Sequence, residues 1–282
     1  MSQSSQGSGG GAGDGVRLET ADALELLRHG TIEVEGRMVD ASNATLFARI
    51  SHAGVSSSCI YKPVAGERPL WDFPDGTLAG REVAAYLVSE AGGWGVVPPT
   101  VHRDGPFGPG MVQLWVDTDD TVELVDILPR PAMPRGWCAV LDARGNEGEQ
   151  VVLAHADDPR LRSMAVFDVV VNNADRKGGH ILPVGPAPDD PVHGVDHGIS
   201  FNVEEKLRTV LWGWAARRLR PEDVEALTRV EAALGGSLGA AMAGHLTRAE
   251  VAVTTRRVRR LLRAGSMPLP SEGWPAIPWP AF

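Results

Sequence analysis

The sequence predicts an α+β fold with two lobes, a small β-rich lobe followed by a larger, mainly helical one. Between residues 31 and 64, apolar and polar residues alternate as they do in strands with one buried face. From about residue 119 onward, apolar residues instead recur at helical spacing. The chain has 282 residues, of which 43% are hydrophobic and 22% charged. This composition is typical of a globular protein and excludes fibrous or wholly disordered chains.

The first lobe is predicted to comprise residues 16–117 and ends with a linker strand. It begins with a helix through ALELLRHG, which Thr20 is expected to cap and Gly30 to end. TIEVEGRMV, LFARI and CIYKPV follow as antiparallel strands, and DASNAT forms the turn between the first two. REVAAYLVSEAGGW has helical spacing, whereas VVPPTVHR and MVQLWVD predict two more strands. We therefore expect a sheet of about five strands.

The second lobe is predicted to comprise residues 118–265 and to be built from helices. The segments with helical spacing are VELVDIL, LRSMAVFDVVV, EEKLRTVLWGWAARRL, PEDVEALTRVEAAL and RAEVAVTTRRVRRLLRAG. Residues 1–15 are rich in glycine and serine and predict a disordered tail. Residues 266–282 are rich in proline and tryptophan and predict an extended arm on the surface, with Trp274 and Trp279 holding it there.

Charge and cysteine content limit the partners and the compartment. The net charge is −9, so the chain has no overall electrostatic attraction to nucleic acid. No run of 18 apolar residues is present, and the sequence therefore predicts no membrane span. Cys59 and Cys138 lie far apart and match no zinc or redox spacing, which favours a cytoplasmic protein with free thiols.

Four charged residues suggest phosphoryl-transfer chemistry. Lys62 on a strand and Glu82 on the next helix permit an ion pair that aims an ammonium group at phosphate, although they could also be unrelated surface charges. Asp175 lies in a glycine-containing loop after an apolar helix, where its alternative role is an Asx-type turn. Asp196 lies between two short apolar stretches. Phosphoryl transfer uses two such acids, one to orient a hydroxyl group and one to bind a metal ion.

These segments together resemble the phosphatidylinositol 3- and 4-kinases, most closely the type II phosphatidylinositol 4-kinases. The resemblance covers roughly residues 35 to 216, and the motifs occur in the order of that family. They are a nucleotide lysine in a KP step, a helix before a VP pair, a GxxQLxV linker strand, a DRxxxN catalytic loop and a DxGxxF metal motif. In this chain the corresponding residues are Lys62-Pro63, Val97-Pro98, Gly110 to Val116, Asp175 to His180 and Asp196 to Phe201.

The resemblance implies a bilobal protein-kinase-like fold with ATP and Mg²⁺ or Mn²⁺ between the lobes. Lys62 would contact the phosphates and Glu82 would position it. Asp175 would orient the acceptor hydroxyl, and Asp196 would ligate the ion. The residues expected to cover the phosphates are Ser42, Asn43 and Thr45, and those expected beside adenine are Gln113, Leu114 and Trp115.

Two features depart from the family pattern. His180 stands where the family has a metal-binding asparagine, and imidazole suits softer ions than Mg²⁺. The cysteine-rich insert of the type II enzymes is missing, which makes a phosphoinositide membrane a poor default substrate. The acceptor therefore stays open between an inositol-containing small molecule, a lipid and a protein, and the sequence does not define the oligomeric state.

Two other functions are compatible with the same residues. A pseudokinase would hold ATP without turnover, and the change to His180 is the kind of lesion expected in one. Alternatively, His180, His193, His197 and Asp196 could form the transition-metal site of a hydrolase. The hydrolase leaves Lys62 and Glu82 unexplained.

Overall fold

A computed structural model describes residues 18–38, 43–73, 76–145 and 147–282. The first part of the fold is a five-stranded antiparallel sheet of strand order β1-β2-β3-β5-β4. Its strands are β1 (Thr31–Arg37), β2 (Leu46–His52), β3 (Val55–Pro63), β4 (Thr100–Gly105) and β5 (Gly108–Leu114). Two helices accompany the sheet, α1 (Thr20–His29) and α2 (Leu78–Gly92). This confirms the predicted β-rich beginning. The predicted tail, residues 1–15, lies outside the described residues.

Helix α1 packs against the sheet through Leu26 and Leu27, which are buried with Ile50 and Tyr61. Thr20 is its first residue rather than its cap, because Glu19 occupies the cap position. Gly30 ends the helix as predicted, and its N–H donates to the Leu26 carbonyl. A Cβ at Gly30 would lie 2.5 Å from Ile50 Cγ1, so glycine permits this close approach of α1 to the sheet.

Helix α2 belongs to the larger core as well as to the sheet. Val83 packs with Met111 of β5, whereas Ala84 and Val88 join the core of the helical part. Its first turn is capped from two sides, by the Thr77 hydroxyl and by the Glu67 carboxylate, which accepts from the N–H groups of Leu78 and Ala79 at 2.9 and 2.8 Å. The helix is therefore held at both of its faces and at its start.

The rest of the chain is less helical than the sequence predicts. The described residues after β5 form four α-helices: α3 (Pro159–Val171), α4 (Pro221–Leu234), α5 (Ser237–Met242) and α6 (Arg248–Ala264). A second antiparallel sheet precedes them, with strand order β6-β8-β7. Its strands are β6 (Val125–Pro129), β7 (Trp137–Arg144) and β8 (Gln150–Ala156). The prediction of a helix over VELVDIL was therefore wrong, because the end of this segment pairs with β8.

The segment EEKLRTVLWGWAARRL also forms no α-helix. Its backbone groups are bonded to other parts of the chain: the Arg208 N–H donates to the Asn173 carbonyl, and the Val210 N–H donates to the Arg176 carbonyl. A single 3₁₀ turn occurs at Trp212–Trp214. Tertiary hydrogen bonds here override the helical spacing of the apolar residues.

A short hairpin and the end of the chain complete the fold. The hairpin joins β9 (Ile181–Pro183) and β10 (Val192–Gly194). Beyond α6, the chain follows the surface without further helix or strand, and we call residues 266–282 the C-terminal arm. Trp274 packs on the Lys206 ammonium, whereas Trp279 is 87% exposed and does not hold the arm. The division of the chain at residues 117/118 and 265/266 stays a prediction.

Candidate active site

A cleft of about 580 Å³ lies where the five-stranded sheet meets the helical part. Strands β3 and β5 supply one wall, and the loop between α3 and β9 supplies the opposite one. The segment 114–118 closes the cleft at one end. The sequence-predicted residues that line it are Asn43, Thr45, Lys62, Gln113, Leu114, Trp115, Asp175, His180 and Asp196. Residues that are far apart in the chain are thus brought to one cavity.

Lys62, Glu82 and Asp196 form a connected group of charges that we call the cleft network. The Lys62 ammonium donates to Glu82 Oε1 at 2.7 Å and to Asp196 Oδ1 at 2.9 Å. The other Glu82 oxygen accepts from the His197 N–H at 2.9 Å, so one carboxylate contacts both β3 and the loop after β10. Glu82 is buried, whereas half of the Asp196 side chain is exposed. The network thus has a buried end and an end that faces the cleft.

The electrostatics of this network favour charged side chains. Burial by itself would lower the pKa of Lys62, but the carboxylates of Asp196 and Glu82 outweigh it and raise the pKa above its usual value. The Lys62 ammonium in turn holds the pKa of Asp196 well below its usual range. Asp196 also has a φ of +60°, a left-handed conformation that aspartate tolerates better than most residues.

Asp175 and His180 belong to the loop that follows α3. The Asp175 carboxylate lies 3.3 Å from the Lys177 ammonium, and both side chains are largely buried at the edge of the cleft. His180 donates from Nδ1–H to the Asp175 carbonyl at 2.8 Å, a contact that leaves the Nε2 lone pair facing Asp196 Oδ2 at 3.6 Å. Burial lowers the pKa of the His180 ring, which favours the neutral form.

A second group of side chains, Arg176, Asp168 and His197, holds this loop in place. We call it the buried network. The Arg176 guanidinium is fully buried and forms two bonds of 3.0 Å to the Asp168 carboxylate on α3. It also donates to the carbonyls of His180 and Val195 at 3.2 Å and to His197 Nε2 at 2.6 Å. Burial lowers the pKa of His197, so a neutral ring accepts this bond. Arg176 therefore ties α3 to the loops that carry Asp175 and Asp196.

The remaining predicted residues lie at the two ends of the cleft. Asn43 accepts from the Arg68 N–H at 2.9 Å, and Thr45 is nearly buried beside it; Ser42 lies outside the described residues. At the opposite end, Gln113 Nε2 donates to Thr100 Oγ1 at 2.8 Å. Leu114 and Trp115 are half-buried against the cleft.

The alternative hydrolase site is contradicted by the positions of two histidines. His197 is fully buried, and its Nε2 accepts from Arg176. His193 Nδ1 lies 3.0 Å from the Gly95 carbonyl rather than beside Asp196. In the part of the chain that the structure describes, no three histidine, cysteine or acidic side chains converge as a metal site.

Two donors nevertheless suit an ion that is shared with a nucleotide. The half-exposed Asp196 carboxylate and the His180 Nε2 face the same side of the cleft. Mg²⁺ at kinase sites is commonly held by one or two protein ligands together with substrate phosphates, and imidazole extends the choice to Mn²⁺. The donor set therefore fits a divalent ion that arrives with phosphate oxygens.

Sequence reasoning missed the buried network and Lys177. One signal for the network was available: Asp168 is a single charge within the apolar run AVFDVVV, and a charge on a buried helix requires a partner. Nothing in the sequence identified that partner as Arg176. The sequence analysis assigns no role to Lys177.

The chain is similar over most of its length to one protein in sequence and to two solved structures in fold. The protein Rv2133c of Mycobacterium tuberculosis (strain ATCC 25618 / H37Rv) is 51% identical over 270 residues, which cover 93% of this chain and 96% of that protein. The crystal structure of the Golgi casein kinase with Mn/ADP bound matches with a TM-score of 0.55 and 13% identity over 87% of this chain and 75% of that one. A further structure of the Golgi casein kinase matches with a TM-score of 0.53, also at 13% identity, over 87% of this chain and 74% of that one.

These matches confirm the predicted α+β, kinase-like fold. No protein-family model matches the sequence. Neither the protein Rv2133c nor the two structures named above is described as a phosphatidylinositol kinase, so the finer resemblance is not confirmed. Among the described residues, no helix combines the length and apolar character that a membrane crossing requires.

Proposed function

Because the chain belongs to the family of the mycobacterial protein Rv2133c and has a kinase-like fold, we propose that it is an ATP-dependent phosphotransferase. The observation that carries the proposal is the cleft network, in which Lys62 contacts Glu82 and Asp196 at the edge of a 580 Å³ cavity. This arrangement supports one cation for phosphate oxygens and one carboxylate for a divalent ion. The Mn/ADP complex of the Golgi casein kinase is compatible with the same chemistry.

Each side chain has a distinct part in the proposed reaction. Lys62 binds phosphate oxygens of ATP, and Glu82 keeps the ammonium in place. Asp196 and His180 hold Mg²⁺ or Mn²⁺, which neutralises phosphate charge when it is bound. Asp175 orients the acceptor hydroxyl and receives its proton.

The two ends of the cleft complete the nucleotide site. Asn43 and Thr45, with Ser42 before them, cover the phosphates from the side of the sheet. Gln113, Leu114 and Trp115 lie beside the adenine. We further propose that the enzyme is of the phosphatidylinositol 3-/4-kinase-like type, because of the ordered motifs in its sequence. Its two widely spaced cysteines support a cytoplasmic location.

A pseudokinase is the second candidate, and His180 is the observation that favours it. The imidazole replaces a hard oxygen ligand, and a mismatch of this kind lowers affinity for Mg²⁺. Such a protein would bind ATP and transfer nothing. A turnover assay separates the two candidates, because both predict nucleotide binding.

The proposal is tested by a thermal-shift titration with ATP and Mg²⁺ or Mn²⁺. Wild-type protein should be stabilised, by about 2.7 kcal/mol at a ligand concentration 100 times the dissociation constant. Lys62→Met should remove most of that shift, and so should Lys62→Met/Glu82→Gln, which does not leave the buried Glu82 carboxylate without its ion pair. The melting temperature of each variant without ATP shows whether it is folded. Arg49→Met, at an exposed position on β2, is the control and should respond to ATP as wild type does. A wild-type response of Lys62→Met would refute the assignment.

A further inference from the structure

A second cavity of about 340 Å³ adjoins the nucleotide cleft. The residues that line both cavities are Asn43, Lys62, Asp175 and Asp196. In the proposed function, these residues contact the phosphates, hold the divalent ion and orient the acceptor hydroxyl. A molecule in the smaller cavity would therefore meet the end of the nucleotide's phosphate chain, and its hydroxyl group would lie beside Asp175.

The walls of the smaller cavity combine apolar surface with charges of both signs. Four carboxylates line it together with Lys62 and Arg68, and each of them already has a partner. Glu67 accepts from the first turn of α2, Glu82 and Asp196 contact Lys62, and Asp175 contacts Lys177. Pro63, Leu70 and Ile199 contribute apolar surface, and Arg68 lies at the same cavity. The Arg68 N–H is bonded to Asn43, but its guanidinium forms no ion pair with any residue that the structure describes. A guanidinium group without an ion pair can bind a carboxylate or phosphate group of a ligand.

This wall is fixed before any ligand arrives. Glu67, the neighbour of Arg68, is bonded through both carboxylate oxygens to the first turn of α2. The same helix carries Glu82 of the cleft network. The position of Arg68 relative to Lys62 is thus set by hydrogen bonds on both sides, so the cavity is preformed, as most small-molecule sites are.

The C-terminal arm lies against the loop that carries Asp175. The Ala281 carbonyl accepts from the Gly178 N–H at 2.8 Å, and the Phe282 ring lies so close that a Cβ at Gly178 would be 2.1 Å from it. The Ala276 carbonyl accepts from the Thr209 N–H at 3.0 Å and from Trp212 Nε1 at 2.8 Å. An extended peptide that reached Asp175 along this surface would compete with the arm for the same hydrogen-bond donors.

We propose that the smaller cavity binds the phosphoryl acceptor, and that this acceptor is a compact hydroxyl compound with an anionic group rather than an extended peptide. The inference rests on the proposed phosphotransferase function. The acceptor oxygen forms a bond to the γ-phosphorus while the bond from that phosphorus to the bridging oxygen breaks. ADP leaves with that electron pair, and the hydroxyl proton passes to Asp175.

The experiment follows labelled phosphate from [γ-³²P]ATP, with Mn²⁺ or Mg²⁺, into three acceptor pools. The pools are a bacterial-extract filtrate below about 1 kDa, the dialysed proteins of the same extract, and vesicles that contain phosphatidylinositol. We expect label in the filtrate, and we expect it to disappear when the filtrate is first passed over an anion-exchange resin. Label confined to proteins or vesicles would overturn the inference. If labelling of the filtrate were undiminished after the resin, the acceptor would not carry an anionic group.

Variants of the cavity make the test specific to this site. Arg68→Ala should lower filtrate labelling about tenfold or more, the loss expected when a hydrogen bond to a charged group is removed. Ile199→Trp should fill the cavity and have a similar effect. Arg256→Ala, an exposed arginine on α6, is the matched control and should label as wild type does. If Arg68→Ala and Ile199→Trp both label normally, the cavity is not the acceptor site.

The two proposals fail in different ways. ATP-dependent thermal stabilisation of Arg68→Ala should equal that of wild type, because the nucleotide lies in the other cavity. Stabilisation by ATP without label in any pool would reject phosphoryl transfer itself, and the acceptor inference with it. Label that reaches the filtrate but is unaffected by both cavity variants would reject only the acceptor site.

Discussion

The cleft network and the buried network contain similar charges but differ in what surrounds them. Lys62 and Asp196 of the cleft network retain contact with solvent, whereas Arg176 and Asp168 of the buried network are fully enclosed. The exposed charges can exchange their partners for a ligand. The enclosed charges cannot, because an unpaired charge inside a protein is strongly disfavoured. The cleft network is thus suited to bind a ligand, and the buried network is suited to hold the loops that carry the binding residues.

The largest effect is expected in the buried network. Arg176→Leu leaves the Asp168 carboxylate buried without its ion pair, and we expect the free energy of unfolding to fall by about 3–5 kcal/mol. Urea denaturation measures this change. The double variant Arg176→Leu/Asp168→Leu should recover part of the loss. Equal stability of wild type and Arg176→Leu would show that the two networks do not differ in the way described.

Variants of the two acids that face the cleft should separate ATP binding from turnover. Asp196→Ala should abolish metal-dependent ATP binding in calorimetry, because a metal ligand acts in the ground state and in the transition state. Asp175→Ala should bind ATP nearly as wild type does and lose about 10²- to 10⁴-fold in turnover, the usual range for a general base. Equal loss of ATP binding in the two variants would contradict this division of roles.

Acid should weaken the fold through a buried histidine outside both networks. His155 Nδ1–H donates to the Ala156 carbonyl and Nε2 accepts from the Gly213 N–H, while burial lowers the pKa of the ring. The unfolded chain therefore binds the proton first. Stability is full above about pH 6.5 and declines below it, by at most about 1.4 kcal/mol per pH unit.

The histidine prediction is checked by urea denaturation of wild type and His155→Asn between pH 8 and pH 5. The difference between them at pH 8 reports packing alone, since both side chains are neutral there. The wild-type curve should fall more steeply as the solution is acidified. Parallel curves would show that His155 does not titrate on unfolding.

The smallest effect concerns the choice of metal. With the neutral Nε2 of His180 beside Asp196, Mn²⁺ should support turnover better than Mg²⁺. His180→Asn should move the preference a few-fold toward Mg²⁺, because an amide oxygen is the harder ligand. Steady-state assays with each ion measure the ratio. An unchanged ratio would mean that His180 only supports the loop through its bond to the Asp175 carbonyl.

The residues of the cleft network could be singled out from the sequence because they occur in recognisable local settings, although the contact between Lys62 and Asp196 was not predicted. Lys62 lies on an alternating strand, Glu82 on a periodic helix and Asp196 between apolar stretches, so each could be placed without knowledge of the others. The buried network could not be predicted in this way. From the sequence, Arg176 is predicted to be an exposed residue in a polar loop. Only the folded chain shows that it contacts Asp168 and His197.

The same distinction explains the errors in the second half of the fold. The apolar residues of VELVDIL fit both a strand and a helix, and pairing with β8 decides between them. In EEKLRTVLWGWAARRL, backbone bonds to residues 173 and 176 and to Ala276 replace the helical ones. Local spacing contains no information about such distant partners.

The double contact of Lys62 has a consequence for the order in which ligands enter. The Lys62 ammonium acts as the counter-ion of Asp196. A free divalent cation would have to displace it and would face its repulsion. A nucleotide phosphate can instead attract the lysine and release the aspartate. We therefore expect the ion to enter as a complex with the nucleotide, so that Mn²⁺ alone binds far more weakly than Mn²⁺ with ATP.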